Sequence, residues 1–131
     1  MKITSKDDVG TKQEEIVFNR DKEKVTVEVL MDTVTSTGAA IVVTDKNKDT
    51  YGWGKSYKIQ EKVNGEWLDL TPIAEMSFEE IAYGLDENGQ FEQNIDWARF
   101  YGELEKGTYR IVKDTYDKGY IYFYSNEFEI K

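Results

Sequence analysis

Neither cysteine nor histidine occurs anywhere in the 131 residues, and the two absences remove whole classes of chemistry. No disulfide can form, no thiolate can act as nucleophile, and no Cys/His zinc site or Ser–His or Cys–His pair can be assembled. The missing cysteines leave the compartment open, because a domain of this size folds without disulfides in any of them. One proline and ten glycines are too few for a linker or low-complexity chain. No apolar run approaches bilayer-spanning length, so no direct membrane insertion by this chain is expected. Positive charge is also short: 17 Lys and Arg against 26 Asp and Glu leave a formal net charge of −9. That balance disfavours nucleic acid and anionic membranes as partners, and favours solubility, cationic partners or divalent cations.

What is present is the composition of a globular chain, 39% hydrophobic and 33% charged, with an aromatic share of 14% that includes nine tyrosines. Aromatics at this density lean toward strands, where they pack on a pleated surface. The length suits one domain burying roughly two-thirds of its unfolded surface. Residues 1–12 are polar and aperiodic and read as a flexible tail, leaving 13–131 as a single domain.

Alternation marks the strands. A short first strand ends at Val17 and Phe18, and Val25, Val27 and Val29 alternate with polar residues over 24–31. Ala39–Thr44 is a short β-branched run, and Asp45–Asp49 a polar, solvated turn. Tyr57–Val63 and Glu66–Leu70 flank Asn64-Gly65, the strongest short hairpin signal. Residues 77–85 are ambiguous: Ser77 and Glu80 fit a helix capping box, whereas Ile81, Tyr83 and Leu85 alternate, and a strand is favoured. Phe91–Trp97, Tyr109–Lys113 and Tyr120–Ile130 complete the pattern. Short strands with a turn signal every ten or so residues, no long helix and no repeat describe a β-sandwich.

Leu104-Glu-Lys-Gly107-Thr-Tyr109-Arg-Ile111 has the layout of a tyrosine corner. In that arrangement Leu anchors the turn, Gly permits the bend, and Tyr at the start of a strand hydrogen-bonds back to the preceding connection. The expected fold is therefore all-β, an immunoglobulin-like sandwich of two antiparallel sheets with about seven to nine strands. Leu104, Gly107 and Tyr109 are its structural corner residues. Trp97, beside the corner, is expected to pack over Tyr109, and Trp67, in an alternating run, to be structural.

The string Ile95-Asp-Trp97, Tyr101-Gly, Leu104, Gly107-Thr-Tyr109-Arg-Ile-Val-Lys113, closed by Glu127-Phe-Glu-Ile130, resembles a bacterial Ig-like domain family of secreted, lipoprotein or membrane-anchored proteins of Gram-positive bacteria. Gly54-Lys-Ser-Tyr57, Ile59, Gly65, Trp67 and Ile81-Ala-Tyr83 match upstream. The resemblance implies an Ig-like fold, an extracytoplasmic accessory role and no catalytic residues. It departs in one respect: the chain opens Met-Lys-Ile-Thr-Ser without an apolar export segment. An extracellular or surface-anchored location is expected, the signal or anchor being absent from this chain.

Three segments carry candidate chemistry. Tyr51-Gly-Trp53-Gly-Lys-Ser-Tyr57 combines aromatics and glycines, so Tyr51, Trp53 and Tyr57 are candidate ligand contacts on an exposed loop. The alternative is that Trp53 and Tyr57 tuck against the end of a sheet. Asp45-Lys-Asn47-Lys-Asp49 has the alternate-oxygen spacing of half a calcium loop, yet Thr50 and Ser56 stand where that loop requires Gly and Glu. No metal and no cofactor are expected. Tyr120-Ile-Tyr-Phe-Tyr-Ser is aromatic on both faces. One face lines the core; the other meets a neighbouring connection or remains an exposed patch marking an interaction or dimer surface. The acidic pairs Asp7-Asp8, Glu14-Glu15 and Glu79-Glu80 are sequence neighbours and define no acid–base pair.

The sequence-level reading is a non-catalytic structural or binding module of an exported or cell-surface protein, contacting protein or polysaccharide as a monomer or weak dimer. Two alternatives share the fold. One is a cytoplasmic inhibitor of a serine or cysteine protease, since Gly107-Thr-Tyr109 and Phe128-Glu-Ile130 also resemble the ends of small acidic Ig-like inhibitors from bacilli. The other is the sensory ectodomain of a membrane-bound regulator.

Overall fold

Alternation decides the first sheet. Val25, Val27 and Val29 are buried while Thr26 and Glu28 face solvent, forming β1 (Val25–Val29) of the computed structural model, which describes residues 20–131. The expected tail over 1–12 and the short strand ending at Val17 and Phe18 lie outside the described residues. β1 pairs antiparallel with β2 (Gly38–Asp45), Val27 opposite Val43. β2 pairs antiparallel in turn with a later strand, Gln90–Asp96, Ile41 opposite Gln93.

The second sheet is built from β3 (Tyr57–Val63), β4 (Glu66–Asp69), β6 (Gly107–Tyr116), β7 (Tyr120–Tyr124) and β8 (Phe128–Ile130), with Gln90–Asp96 as β5 of the first sheet. Its order is β4-β3-β6-β7, and β8 pairs with the first residues of β6. The turn between β3 and β4 places Asn64 at φ 53° and Gly65 at φ 83°, the pair of left-handed conformations that a tight hairpin needs and that Asn-Gly tolerates. Three antiparallel strands facing five, with crossing connections, make an immunoglobulin-like sandwich.

Val29, Ile41 and Val43 from the first sheet and Ile59 and Ile111 from the second are fully buried between the layers. Each such side chain contributes about 1.5–3 kcal/mol, and a one-residue slip would turn every one of them to water, which fixes the register. One sequence run divides in two. Tyr120–Ile130 breaks at Ser125, whose N–H donates to the Ile111 carbonyl while its hydroxyl accepts from the Ile111 N–H. The next residue, Asn126, reaches across the sandwich: Val29 N–H donates to its Oδ1 at 2.7 Å, and its Nδ2 donates to the Val29 carbonyl. A side-chain amide thus stands in for a ladder pair and joins the edges of the two sheets.

At the base, α1 (Ala98–Tyr101) turns the chain into the corner. The Tyr109 hydroxyl donates to the Glu105 carbonyl at 2.6 Å, and the Leu104 N–H donates to the Ser36 carbonyl. A Cβ on Gly107 would lie 3.2 Å from the Tyr109 hydroxyl and 3.1 Å from Glu61 Oε2, so a larger residue there would push on the ring that lies over the turn. Trp97 does not pack directly over Tyr109. Phe128 stands between them, its ring 5.6 Å from Trp97 and 6.0 Å from Tyr109 in a stacked column. Tyr109→Phe is expected to cost about 1–2 kcal/mol; an unchanged chemical-denaturation midpoint would show that the hydroxyl is not what holds the corner.

The favoured strand at 77–85 does not form, and neither does a helix. Between β4 and β5 the chain is irregular and is held by side chains. Tyr83 stacks on Phe91 at 4.5 Å, Phe78 packs between Tyr57 and Phe100, and the Tyr83 N–H donates to the Trp53 carbonyl. Aromatic anchors spaced along an extended segment imitate strand alternation without a ladder.

Candidate functional site

Tyr51, Trp53 and Tyr57, expected on an exposed loop, are all buried. The reason begins at Asp45, expected in a solvated turn, which is 1% exposed. Its Oδ1 accepts from the Asn47 N–H and Nδ2 at 3.0 and 2.8 Å. Its Oδ2 accepts from the Tyr51 N–H at 2.8 Å and from Trp53 Nε1 at 3.1 Å. An Asp whose side chain caps the N–H two residues ahead is an Asx turn, and here the same group also draws the tryptophan inward. The Tyr51 and Trp53 rings then close around Phe123, 5.5 and 5.4 Å from its centroid.

The backbone from 51 to 56 crosses between the sheets without joining either ladder. Side chains satisfy it instead: Thr115 donates to the Gly52 carbonyl, Lys113 to Gly54 at 2.6 Å, and Gln93 to Lys55 at 3.0 Å. Lys113 is fully buried, and its ammonium also donates to Gln93 Oε1 at 3.0 Å. Burial pushes its pKa down from 10.5 to about 8, with nearby Asp114 opposing the shift. The sequence marked 109–113 as a strand, but nothing in the pattern said that the lysine at its end would serve as a buried tether.

Tyr57 faces the interior, and its hydroxyl is the one buried side-chain polar atom without a hydrogen-bond partner among the described residues. It borders a crevice of ≈ 160 Å³ with Asn94, Asp96 and Arg99, and desolvation holds its pKa well above the usual tyrosine value. A broader, shallow cleft of ≈ 600 Å³ lies between the loops 45–53 and 82–89. Among the described residues no carboxylate cluster is arranged to hold a metal ion.

The outer face of the second sheet exposes a row of aromatic side chains. β7 alternates, so Ile121 and Phe123 point in while Tyr120, Tyr122 and Tyr124 point out. Tyr116 meets Tyr120 edge-on at 5.4 Å, and the two are 67% and 68% exposed. Beside them, Arg110 of β6 lies between the rings of Trp67 and Tyr124, 4.3 and 4.2 Å from their centroids, and Lys58 lies over Tyr122. Trp67 is therefore half-buried on this outer face. The sequence showed the aromatic alternation of β7, but only strand pairing brings β4, β3 and β6 alongside it.

A family model described as a bacterial Ig-like domain matches residues 21–129. No curated protein and no solved structure matches the chain.

Proposed function

The chain belongs to the bacterial Ig-like domain family, and from that premise we propose a non-catalytic binding module of an exported or cell-surface protein, contacting protein or polysaccharide through the outer face of its second sheet. The observation that carries this reading is the gathering of four exposed tyrosines, Tyr116, Tyr120, Tyr122 and Tyr124, on one face of one sheet. Soluble domains place large apolar groups at the surface singly, and contiguous patches mark contact sites. Tyr, Trp and Arg are also the residues that dominate binding hot spots. Among the described residues no helix is long and apolar enough to cross a membrane.

The test pairs fractionation of the native protein in its host with binding of the labelled domain to host cells. The Tyr120→Ser, Tyr122→Ser, Tyr124→Ser triple variant should keep its unfolding midpoint and lose surface retention at least roughly tenfold, as expected when hot-spot rings are removed. Equal retention would move the contact off this face. A purely cytosolic native protein would overturn the surface assignment.

A further inference from the structure

Arg110 lies on the outer face, flanked by two rings and tied to a hydrogen-bonded chain of side chains. Its Nε donates to Gln60 Oε1 at 2.7 Å, Gln60 Nε2 donates to Asp69 Oδ1 at 2.8 Å, and Lys58 Nζ donates to Asp69 Oδ2 at 3.2 Å. The guanidinium carbon lies 4.3 Å from the Trp67 ring centroid and 4.2 Å from that of Tyr124. Its two terminal amino groups have no acceptor among the described residues and are not buried, so they open to solvent. The neighbouring charges are already matched: Asp69 with Lys58, and Lys62 with Glu127 at 3.4 Å. Arg110 is left as the cation of this face with no acidic partner among the described residues, on a chain of net charge −9.

We infer that Arg110 is the seat for a carboxylate presented by a protein partner, bound through both terminal amino groups while Tyr122, Tyr124 and Trp67 take the apolar groups flanking it. This rests on the outer face being the contact surface. Three observations choose the partner chemistry. A planar fork flanked by two rings, with both terminal amino groups lacking an acceptor among the described residues, is suited to two parallel hydrogen bonds to a carboxylate. One guanidinium, with no second unmatched cation beside it among the described residues, fits a single negative charge better than a phosphate. The Tyr116–Tyr120 pair is edge-on at 85°, so these rings share no plane on which successive sugar rings could stack, whereas protein side chains interdigitate with such a surface.

The test is an NMR titration at fixed ionic strength, reading the side-chain nitrogens of Arg110 and the ring signals of the outer tyrosines. The probes are acetyl-Val-Glu-Val-amide, its Gln counterpart, methyl glucuronoside and glycerol phosphate. The Glu peptide should shift the Arg110 and Tyr124 signals saturably and bind about tenfold tighter than the Gln peptide, the difference a charge-assisted paired hydrogen bond makes. Arg110→Gln should abolish that preference. Arg110→Lys, which keeps the charge without the fork, should reduce it, with both variants folded by their unfolding midpoints. If both peptides perturb the tyrosines equally, the contact face stands and the carboxylate seat fails. If none of the four probes perturbs any tyrosine, both readings fail. Tighter binding of the glucuronoside or the glycerol phosphate would overturn the protein source.

Discussion

Replacing Asp45 by alanine is expected to lower the unfolding free energy by about 4 kcal/mol, among the largest effects available to a single substitution in this chain. Four donors converge on its carboxyl group: the N–H and side-chain amide of Asn47, the Tyr51 N–H and the Trp53 indole. Alanine would leave them without an acceptor in a site closed to water, and a buried donor left unsatisfied costs about 1–3 kcal/mol. Asp45→Asn is the sharper variant. It nearly conserves volume, but its amide nitrogen must face at least one of those donors, so it should recover little stability. Denaturant unfolding followed by Trp fluorescence reads both quantities, since Trp53 is one of the partners. A destabilisation below about 1 kcal/mol for both variants would mean that the 45–53 loop is organised by ring packing alone.

Stability should rise by about 2 kcal/mol between pH 7 and 9.5 through Lys113 alone, and Lys113→Met should remove that rise. The ammonium is charged in both states below pH 8, so the penalty for burying it is fully present there. Between the folded value of about 8 and the unfolded value of 10.5, the folded protein releases its proton first. The unfolded chain then binds more protons, and stability climbs with pH. Higher still the sign reverses. Burial holds the pKa values of Tyr51, Tyr57, Tyr101 and Tyr109 above the ordinary 10.0. Once unfolded tyrosines ionise, the folded state holds the extra protons and stability falls. Chemical denaturation of wild type and Lys113→Met across pH 7–9.5 isolates the lysine by difference. Parallel pH profiles would show that the amine is solvated in solution.

Strand positions were readable wherever one side of the strand is buried and the other wet. Val25–Val29 alternates, and Asn64-Gly65 supplies the two left-handed residues of its turn. Residues 77–85 misled for a related reason: Phe78 and Tyr83 face the protein as strand residues would, but their partners are rings rather than a neighbouring ladder. Asp45 misled in the opposite sense, and the burial of Lys113 was not foreseen. Asp45, read as part of a solvated turn, is buried because Asn47, Tyr51 and Trp53 fold back onto its carboxylate, and Lys113 because the distant Gly54 and Gln93 complete its hydrogen bonds.

Local pattern by itself determined the sandwich, the hairpin and the corner, because each depends on residues within a few positions of one another and on the period-two burial of a strand. The outer aromatic face was a different matter. Tyr120, Tyr122 and Tyr124 announced an aromatic row, but which side of it is wet depends on Phe123 meeting Tyr51 and Trp53 in the core. The setting of Arg110 depends on pairing among β4, β3, β6 and β7, which brings Trp67, Gln60 and Tyr124 to it from 43, 50 and 14 residues away in sequence. Such a site exists only after long-range strand pairing has closed, and so only the tertiary structure could decide it.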